Sequence, residues 1–564
     1  GFTPVVFPAE AAQALGQQVI LAASDGWVRL SRETLPTVKP LPATVPGSDG
    51  TFRSRAVEYF RRIVADALKM PAGEISATEP LEAYGIDSIL INQINARLRS
   101  TFGDIRSTLL FEAQTVEALA EHFLQKEREA LERVLGETPM PVPPPAATPI
   151  ASAPVPAVEA IAIIGISGHY PQSEGLAGFW RNLSEGKDCV TEIPADRWPL
   201  EGFFEPDPEQ AAARGRSYSK WGSFLNGFAD FDPLFFQIPP SEAIRMDPQE
   251  RLFLQAAWEA MEDAGHTRAM LAQRYSGRIG VFAGISRTGF DLCGPAFEKA
   301  GARFQPRTSF SSVANRVSYL LNLHGPSMPV DTMCSSSLTA IHEACEHLRR
   351  GTCDLVFAGG VNLFLHPSSY VELSASGMLS KDGRCKAFGA GGDGFVPGEG
   401  VGVVLLKPLQ RALQDGDNIH AVILGSSVNH GGKTNGYTVP NPLAQADLIR
   451  AALDQAGVHA RTISYIEAHG TGTELGDPIE ITGLQQAFEK DTQETGFCAI
   501  GSVKSNLGHL EAAAGIAGLT KVVLQMKHGR LAPSLHTESL NPNINFSRTP
   551  FFVQKDAAEW RAYP

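Results

Sequence analysis

One cysteine, two histidines and a serine carry the chemistry that this sequence offers. Cys334 lies in the run Val330-Asp331-Thr332-Met333-Cys334-Ser335-Ser336-Ser337-Leu338. Upstream, Pro326 and Pro329 bias their neighbours to extended backbone. Downstream, Leu338, Ile341, Cys345 and Leu348 recur at helical spacing, and the pattern stops at Gly351. The spacing predicts a thiol at the start of a mostly buried helix. There, unpaired backbone N–H groups and the helix dipole favour a thiolate, and hence a nucleophile near neutral pH. The three small serines are expected to let the backbone approach a substrate carbonyl. A free buried cysteine is commonly inert core, but the company further along argues against that here. His469 follows the apolar run 463–466 and opens the Gly/Thr turn Gly470-Thr471-Gly472-Thr473. His509 follows a short strand expected over 499–503, in Lys504-Ser505-Asn506-Leu507-Gly508-His509-Leu510-Glu511. Two histidines, each on a glycine-flanked turn after a strand, suit a convergent pair better than two satisfied structural rings.

Ser88 is the fourth residue. It stands in Tyr84-Gly85-Ile86-Asp87-Ser88-Ile89-Leu90, ahead of a helical pattern of Ile89, Leu90, Ile94 and Leu98 that ends at Gly103. Taken alone, Asp87-Ser88 reads as a helix N-cap. The helix before it shows Val57, Phe60, Val64 and Leu68 on one face and ends at Met70-Pro71. Thr115 caps a third helix bearing Val116, Leu119 and Phe123. Residues 51–127 therefore read as a small all-α bundle.

Cys334 in its Asp-Thr-Met-Cys-Ser-Ser-Ser run, His469 in Glu-Ala-His-Gly-Thr-Gly-Thr and His509 in Lys-Ser-Asn-Leu-Gly-His together resemble the Cys-His-His set of ketosynthases, the condensing enzymes of fatty acid and polyketide synthesis. The resemblance runs from about residue 159 to the end. It implies a thiolase fold, two similar βαβ halves packed as five αβαβα layers, usually as a homodimer. It implies that Cys334 takes an acyl chain from a thioester, with its own N–H forming half of an oxyanion hole. His469 and His509, as neutral N–H donors, would stabilise the charge left when a malonyl extender loses CO2. Lys504 and Glu511 are expected to fix the two histidines. Asn429-His430-Gly431-Gly432-Lys433-Thr434-Asn435-Gly436-Tyr437 resembles the version found in polyketide synthases served by a separate acyltransferase.

The Ser88 stretch resembles the attachment site of an acyl carrier protein, whose serine carries a 4'-phosphopantetheine arm installed by a phosphopantetheinyl transferase. A helix N-terminus suits the arm's phosphate. Arg97 and Arg99, with no acid after Asp87, argue against docking through an acidic face, and Ile94 stands where carriers involved in β-branching show Trp. The two resemblances imply a segment of a modular polyketide synthase, whose carrier delivers the growing chain while the extender arrives on a downstream carrier domain. A ketosynthase that only passes the chain on tends to lose the first histidine, and His469 is present. A non-catalytic partner domain would lack the cysteine, and Cys334 is present; a pure interaction module would be indicated by a Ser88 that resists a phosphopantetheinyl transferase and a Cys334 that resists an electrophile.

The elements that must position these residues fall into four stretches. Residues 1–50 carry no assigned function; a short strand is expected over 18–23 and a linker over 36–46. The bundle 51–127 follows. Within the linker 128–158, the uncharged stretch 138–157 has eight prolines in twenty residues. Such a stretch spans about 3 Å per residue where it is polyproline-like, and tethering at that reach holds the carrier near the next domain at roughly millimolar effective concentration. From 159 to 564, strands expected at 160–165, 279–283, 355–358 and 401–406 alternate with helices such as 248–264, an α/β pattern. Ketosynthases normally continue past Trp560-Arg561-Ala562-Tyr563-Pro564 into a glycine-rich turn, which is missing from this sequence. Gly389-Ala390-Gly391-Gly392-Asp393-Gly394 fits a dinucleotide fingerprint in spacing, but no strand precedes it and a strand, not a helix, follows. Gly432-Lys433-Thr434 fails the P-loop spacing.

Composition bounds the rest. A net charge of -13 and a pI near 5.6 disfavour nucleic acid as a partner. No apolar run reaches the length of a membrane span and no signal peptide is recognisable, so no membrane partner is expected. Seven cysteines without a CxxC pair suggest neither a zinc site nor a disulfide framework, which makes a reducing cytoplasm the default and no bound metal the expectation. Gly1 in place of Met points to a segment of a longer polypeptide.

Overall fold

The computed structural model describes residues 4–10, 20–23, 49–68, 70–84, 88–103, 105, 109–135, 159–434 and 439–561. They form two compact units, one built around the helical bundle and one around a large sheet.

The bundle follows the sequence closely. Helix α1 (Asp49–Leu68) stops ahead of Pro71, α2 (Ser88–Phe102) stops at Gly103, whose φ is +88°, and a short α3 (Leu109–Glu112) precedes α4 (Val116–Lys126). The Thr115 hydroxyl accepts from the Ala118 N–H at 3.0 Å, as its N-cap position requires. Phe60, Ile94, Leu98, Val116, Leu119 and Phe123 are buried, and Phe102 closes the aromatic cluster on Phe60 and Phe123. One expectation fails at the boundary. Arg128–Leu135 is a fifth helix, α5, with Leu131 fully buried against the bundle, so the expected linker does not begin at 128. With four charged residues among eight, the segment leaves little helical signal, and the burial of Leu131 is decided by the bundle. The proline-rich stretch 138–157 and the expected linker over 36–46 lie outside the described residues.

The second unit is an eleven-stranded mixed sheet with helices on its faces. Its strands are β1 (Pro4–Glu10), β2 (Ile20–Ala23), β3 (Ile161–His169), β4 (Ile279–Gly284), β5 (Ser327–Val330), β6 (Leu355–Asn362), β7 (Gly400–Pro408), β8 (Ala421–Asn429), β9 (Ile463–Glu467), β10 (Cys498–Gly501) and β11 (Phe551–Val553). They run in the order β11-β10-β9-β2-β1-β8-β3-β7-β6-β4-β5. Antiparallel β3, β7 and β6 hand over to parallel β4 and β5 on one side, and β9, β10 and β11 are parallel on the other. Expectation and structure differ for residues 1–50: β2 falls within the expected short strand, but it and β1 are paired members of this sheet between β8 and β9.

Residues alternate along the strands, and both sets are buried. On β3, Ile161, Ile163 and Ile166 enter a central core shared with helix α8 (Ser336–Arg349) and helix α10 (Ala514–His528), while Ala162 and Ile164 enter a second core under α6 (Pro248–Asp263) and α7 (Phe310–Leu321). On the other half, Ile463, Ile466, Cys498 and Ile500 join a third core with helix α9 (Gly476–Glu489). Helix, strand, helix, strand, helix is the result: five layers with α8 and α10 in the middle. Strands buried on both faces read as continuous apolar runs, which is why alternation alone does not reveal them. Among the described residues no helix is long and apolar enough to cross a membrane.

Candidate active site

Cys334 sits one turn before α8, in a 3-10 turn of Met333–Ser335, and not in the α-helix itself. Met333 has φ +56°, a left-handed backbone that costs a non-glycine residue about 1–2 kcal/mol. The neighbouring serines hold this turn. Ser335 Oγ donates to Thr332 O at 2.8 Å, Ser336 Oγ donates to Met333 O at 2.6 Å, and Ser337 Oγ accepts from the Ile516 N–H at 3.0 Å. All three are fully buried, so they act as pins for the turn and not as clearance for a substrate. Two strand ends bring the backbone in beneath them. A Cβ on Gly284 would lie 2.7 Å from Ser337 N, and one on Gly360 would lie 2.7 Å from Ala512 O and 2.8 Å from Ser337 Cβ.

His469 leaves the end of β9. Its N–H and that of Gly470 donate to the two carboxylate oxygens of Glu480, at 2.6 and 2.9 Å. Gly470 and Gly472 take φ of +46° and +72°, and Asp477 accepts from the N–H groups of Gly472 and Phe388. Asp477 and Glu480, one helical turn apart on α9, thus shape the loop from below. The glycine run 389–394 packs on this loop: a Cβ on Gly392 would fall 2.2 Å from Gly472 O. That close approach accounts for the run without a dinucleotide.

His509 follows β10 and the short turn Lys504–Leu507; Gly508 has φ +68°. Its main chain is bonded on both sides, to Val396 O and from the Gly398 N–H. Its Nδ1 accepts from the Glu511 N–H at 2.9 Å. An accepting Nδ1 places the proton of the neutral ring on Nε2. The two rings meet edge to face, with centroids 5.5 Å apart and planes at 84°. Both nitrogens of His469 and Nε2 of His509 are buried with no hydrogen-bond partner, although such groups are costly to leave unpaired. Three orphaned ring nitrogens at one spot fit a ligand oxygen that needs N–H donors.

Electrostatics joins the parts. The turn of Cys334 packs against the turn Glu511–Ala513. Burial, then Lys504 and His509, hold His469 well below the ordinary imidazole range, and burial, then Lys504 and Arg287, do the same for His509. Both rings are neutral. Burial and Glu511 push the Cys334 thiol up, outweighing Lys504 and Arg287, so it rests as a thiol. The pocket that makes the imidazoles neutral thus opposes the pull of the helix start on the sulfur. Lys504 is fully buried, and burial lowers it against the pull of Cys385, Glu467, Glu480 and Cys334. Glu511 reaches His509 with its N–H, while its carboxylate takes Arg287 Nε at 2.8 Å.

The structure therefore brings Cys334, His469, His509, Lys504 and Glu511 together and adds Glu480, Asp477 and Arg287, which sequence reasoning missed. Two acids three residues apart in the first turns of the helix that follows the Gly/Thr loop were the available signal for the first two. Ser88 is the first residue of α2, whose first turn holds no acid. A fifteen-residue helix starting at a hydroxyl residue fits a phosphoester. Residues 85–87 lie outside the described residues, as do 435–437 of the Asn429–Tyr437 motif. Among the described residues no cluster of His, Cys, Asp or Glu is arranged to hold a metal.

Comparison with known families shows which family the chain belongs to. Residues 158–412 match the N-terminal domain and 420–538 the C-terminal domain of beta-ketoacyl synthase. The oxazolomycin ketosynthase domain OzmH KS7 of Streptomyces albus JA3453 is 51% identical with a TM-score of 0.69, over 72% of this chain and 71% of that one. The chain belongs to the ketosynthase family. Its fold is the thiolase type and its class is that of condensing enzymes, transferases that form β-ketoacyl products. The ketosynthase from module 6 of the bacillaene synthase of Bacillus subtilis 168 aligns at 42% identity with a TM-score of 0.66, covering 72% of this chain and 68% of the other. Residues 58–123 match the phosphopantetheine attachment site family, so the ketosynthase is joined to a carrier domain with covalent 4'-phosphopantetheine. Polyketide synthase PksM of Bacillus subtilis is 47% identical over 100% of this chain, and ThaG of Burkholderia thailandensis 48% over 96%. The chain spans 14% and 10% of those two proteins, and is a modular polyketide synthase segment in sequence terms.

Proposed function

We propose that Cys334 accepts an acyl chain and that His469 and His509 drive its decarboxylative condensation with a malonyl unit. The observation that carries this reading is the pair of neutral, edge-to-face imidazoles with unpartnered nitrogens beside a buried thiol. The phosphopantetheine on the carrier supplies a terminal thiol that presents the chain as a thioester, and Ser88 is the attachment residue. In acylation, the bond from Cys334 Sγ to the acyl carbon forms, the thioester C–S bond breaks, and the Sγ proton passes to the departing sulfur. The Cys334 N–H, at the start of a helix, donates to the carbonyl oxygen as charge develops there. In condensation, loss of CO2 sends an electron pair toward the extender's thioester oxygen. His509 Nε2–H and one N–H of His469 meet that charge in a dry pocket, where such donors contribute most. The new C–C bond forms at the acyl carbon and Cys334 is released. Burial, reinforced by Lys504, keeps both rings unprotonated, Glu511 fixes the His509 tautomer through its N–H, and Glu480 holds the His469 loop.

The carrier spans 51–135 in this reading, with the proline-rich stretch as its tether, and the ketosynthase begins at 159. The partners are an upstream acyl chain on this carrier, a malonyl extender loaded by a separate acyltransferase onto a downstream carrier domain, a phosphopantetheinyl transferase, and a second copy of the chain as a homodimer, all in the cytoplasm. Intact-mass measurement tests both halves. A phosphopantetheinyl transferase with coenzyme A is expected to modify the wild type and not Ser88→Ala, and an acyl thioester to load the wild type and not Cys334→Ala. His469→Ala and His509→Ala should load but not condense; condensation at the wild-type rate by either removes that ring from the mechanism.

A further inference from the structure

Arg287 touches neither reacting group, and no motif singles it out. It follows β4 in the loop Ile285-Ser286-Arg287, where its carbonyl accepts from Gln249 Nε2 at 2.8 Å. Gln249 is itself fully buried on α6 and accepts from the Leu363 N–H, so the loop is anchored to the core. The side chain spans two carboxylates: Nε donates to buried Glu511 at 2.8 Å and Nη1 to exposed Glu372 at 3.0 Å. Glu511 has φ +45°, a conformation that a non-glycine residue holds only when its surroundings enforce it. In that conformation its N–H meets His509 Nδ1.

We infer that Arg287 is a positioning residue for condensation: by clamping the Glu511 carboxylate it keeps the Glu511 N–H on His509 Nδ1, and so keeps the His509 Nε2 proton facing the extender. The inference rests on the proposed role of His509. Without the guanidinium, the Glu511 carboxylate is a buried charge with no counterion. It must take a proton or turn toward water, and either outcome moves the backbone that holds the ring. The guanidinium, the Glu511 carboxylate on its strained backbone and the imidazole then form one chain of contacts, in which only the last touches substrate, while exposed Glu372 lies outside it.

The test uses the whole chain and the malonyl thioester of N-acetylcysteamine, following CO2 release and, separately, loading of Cys334 by an acyl thioester. Arg287→Met is expected to lower kcat for decarboxylation about tenfold to a hundredfold, the usual cost of removing a group that orients a functional imidazole, with KM little changed. Loading of Cys334 should fall less than decarboxylation. Arg287→Lys, which keeps the charge and one donor, should recover part of kcat, and Glu372→Gln should leave it unchanged, because the buried pair survives. Decarboxylation at the wild-type rate in Arg287→Met, or equal losses in both half-reactions with no recovery in Arg287→Lys, overturns the inference. His509→Ala run alongside separates the failures: if it too decarboxylates normally, the role of His509 has failed, and if only Arg287→Met does, the clamp alone has failed.

Discussion

Acid should unfold the ketosynthase unit through its two catalytic imidazoles, by an amount that follows from their burial. His469 and His509 are held well below an ordinary imidazole in the folded chain, with burial the leading cause for each. In the unfolded chain both titrate near 6.5. A depressed folded value means that the unfolded state binds more protons once pH drops below about 6.5, so the stability contribution is present above that pH and lost beneath it. Between pH 7 and pH 5 each ring protonates almost completely in the unfolded chain, so a folded ring that stays neutral over that range costs up to about 2 kcal/mol, and the pair up to ~4 kcal/mol. Buried Glu399 and Glu480, pushed up to about 7, and Asp247 and Asp477, pushed up to about 6, act in the opposite sense, because they bind protons on folding. Comparing the wild type with the double variant His469→Gln/His509→Asn cancels them. Asn at 509 keeps an acceptor for the Glu511 N–H. Tryptophan fluorescence in urea, with Trp27→Phe as the background of both proteins, reads this unit, since the other five tryptophans, Trp180, Trp198, Trp221, Trp258 and Trp560, lie within it and residues 51–135 have none. The wild type should lose up to about 4 kcal/mol more than the double variant on going from pH 7 to pH 5. Parallel pH profiles for the two proteins would show that the rings titrate freely in the folded state, and the neutral-donor mechanism would fall with that result.

Two further expectations test the scaffold. Gly360→Ala would push a methyl against Ala512 O and Ser337 Cβ, between the nucleophile turn and the turn that follows His509; it should cost about 1–3 kcal/mol in urea unfolding and lower both half-reactions. Arg197 Nη2 pairs with fully buried Glu399 at 2.6 Å, and Glu399 in turn accepts from the N–H groups of Leu225 and Phe364. Arg197→Met leaves that carboxylate without its counterion and should destabilise the unit by about 3–5 kcal/mol in the same measurement.

The legible parts of this chain were those in which local spacing carries the signal. Thr115, the proline after α1 and Gly103 mark the carrier helices because caps and breakers act within one turn. Asp247-Pro248 opens α6 where the pattern predicts it, with the Asp247 carboxylate accepting from the Gln249 N–H. The strands were read short. Sequence gives 160–165, 355–358 and 401–406, and the structure extends them to His169, Asn362 and Pro408. Gly165, Gly168, Gly359 and Gly360 interrupt the apolar runs, and they are there because other chain segments come too close for a side chain: a Cβ on Gly359 would lie 2.0 Å from Gly402 O, and one on Gly165 2.2 Å from Ala260 O. The cysteine and both histidines were legible because each sits on a turn with its own glycines or serines. Arg287 was not, since its partner Glu511 is 224 positions away and only the fold makes them neighbours. What acts on the Cys334 sulfur was only partly legible for a related reason. A helix start is visible in sequence, while the burial and the Glu511 charge that outweigh it are not.

Backbone strain and catalytic geometry are joined at this site through the same bonds. Among the described non-glycine residues with left-handed backbone, Met333, Phe388 and Glu511 belong to the turns that build it. Each carries a cost of about 1–2 kcal/mol, and each is held by a contact that also sets a functional group. The Met333 carbonyl takes the Ser336 hydroxyl and fixes the turn of Cys334. The Phe388 N–H gives to Asp477, which also receives the Gly472 N–H in the loop of His469. The Glu511 N–H gives to His509, and its carboxylate is clamped by Arg287. Loss of any one of these contacts lets a strained residue relax, and the relaxation displaces the group it supports by the rotation of a single peptide. The ring or the sulfur then misses its target; of the three strained residues only Phe388 also belongs to one of the cores. Ser336→Ala, which frees the Met333 turn without stranding a buried charge, should therefore separate activity from stability, whereas Arg197→Met and Arg287→Met, each of which leaves a buried carboxylate without its counterion, should lower both.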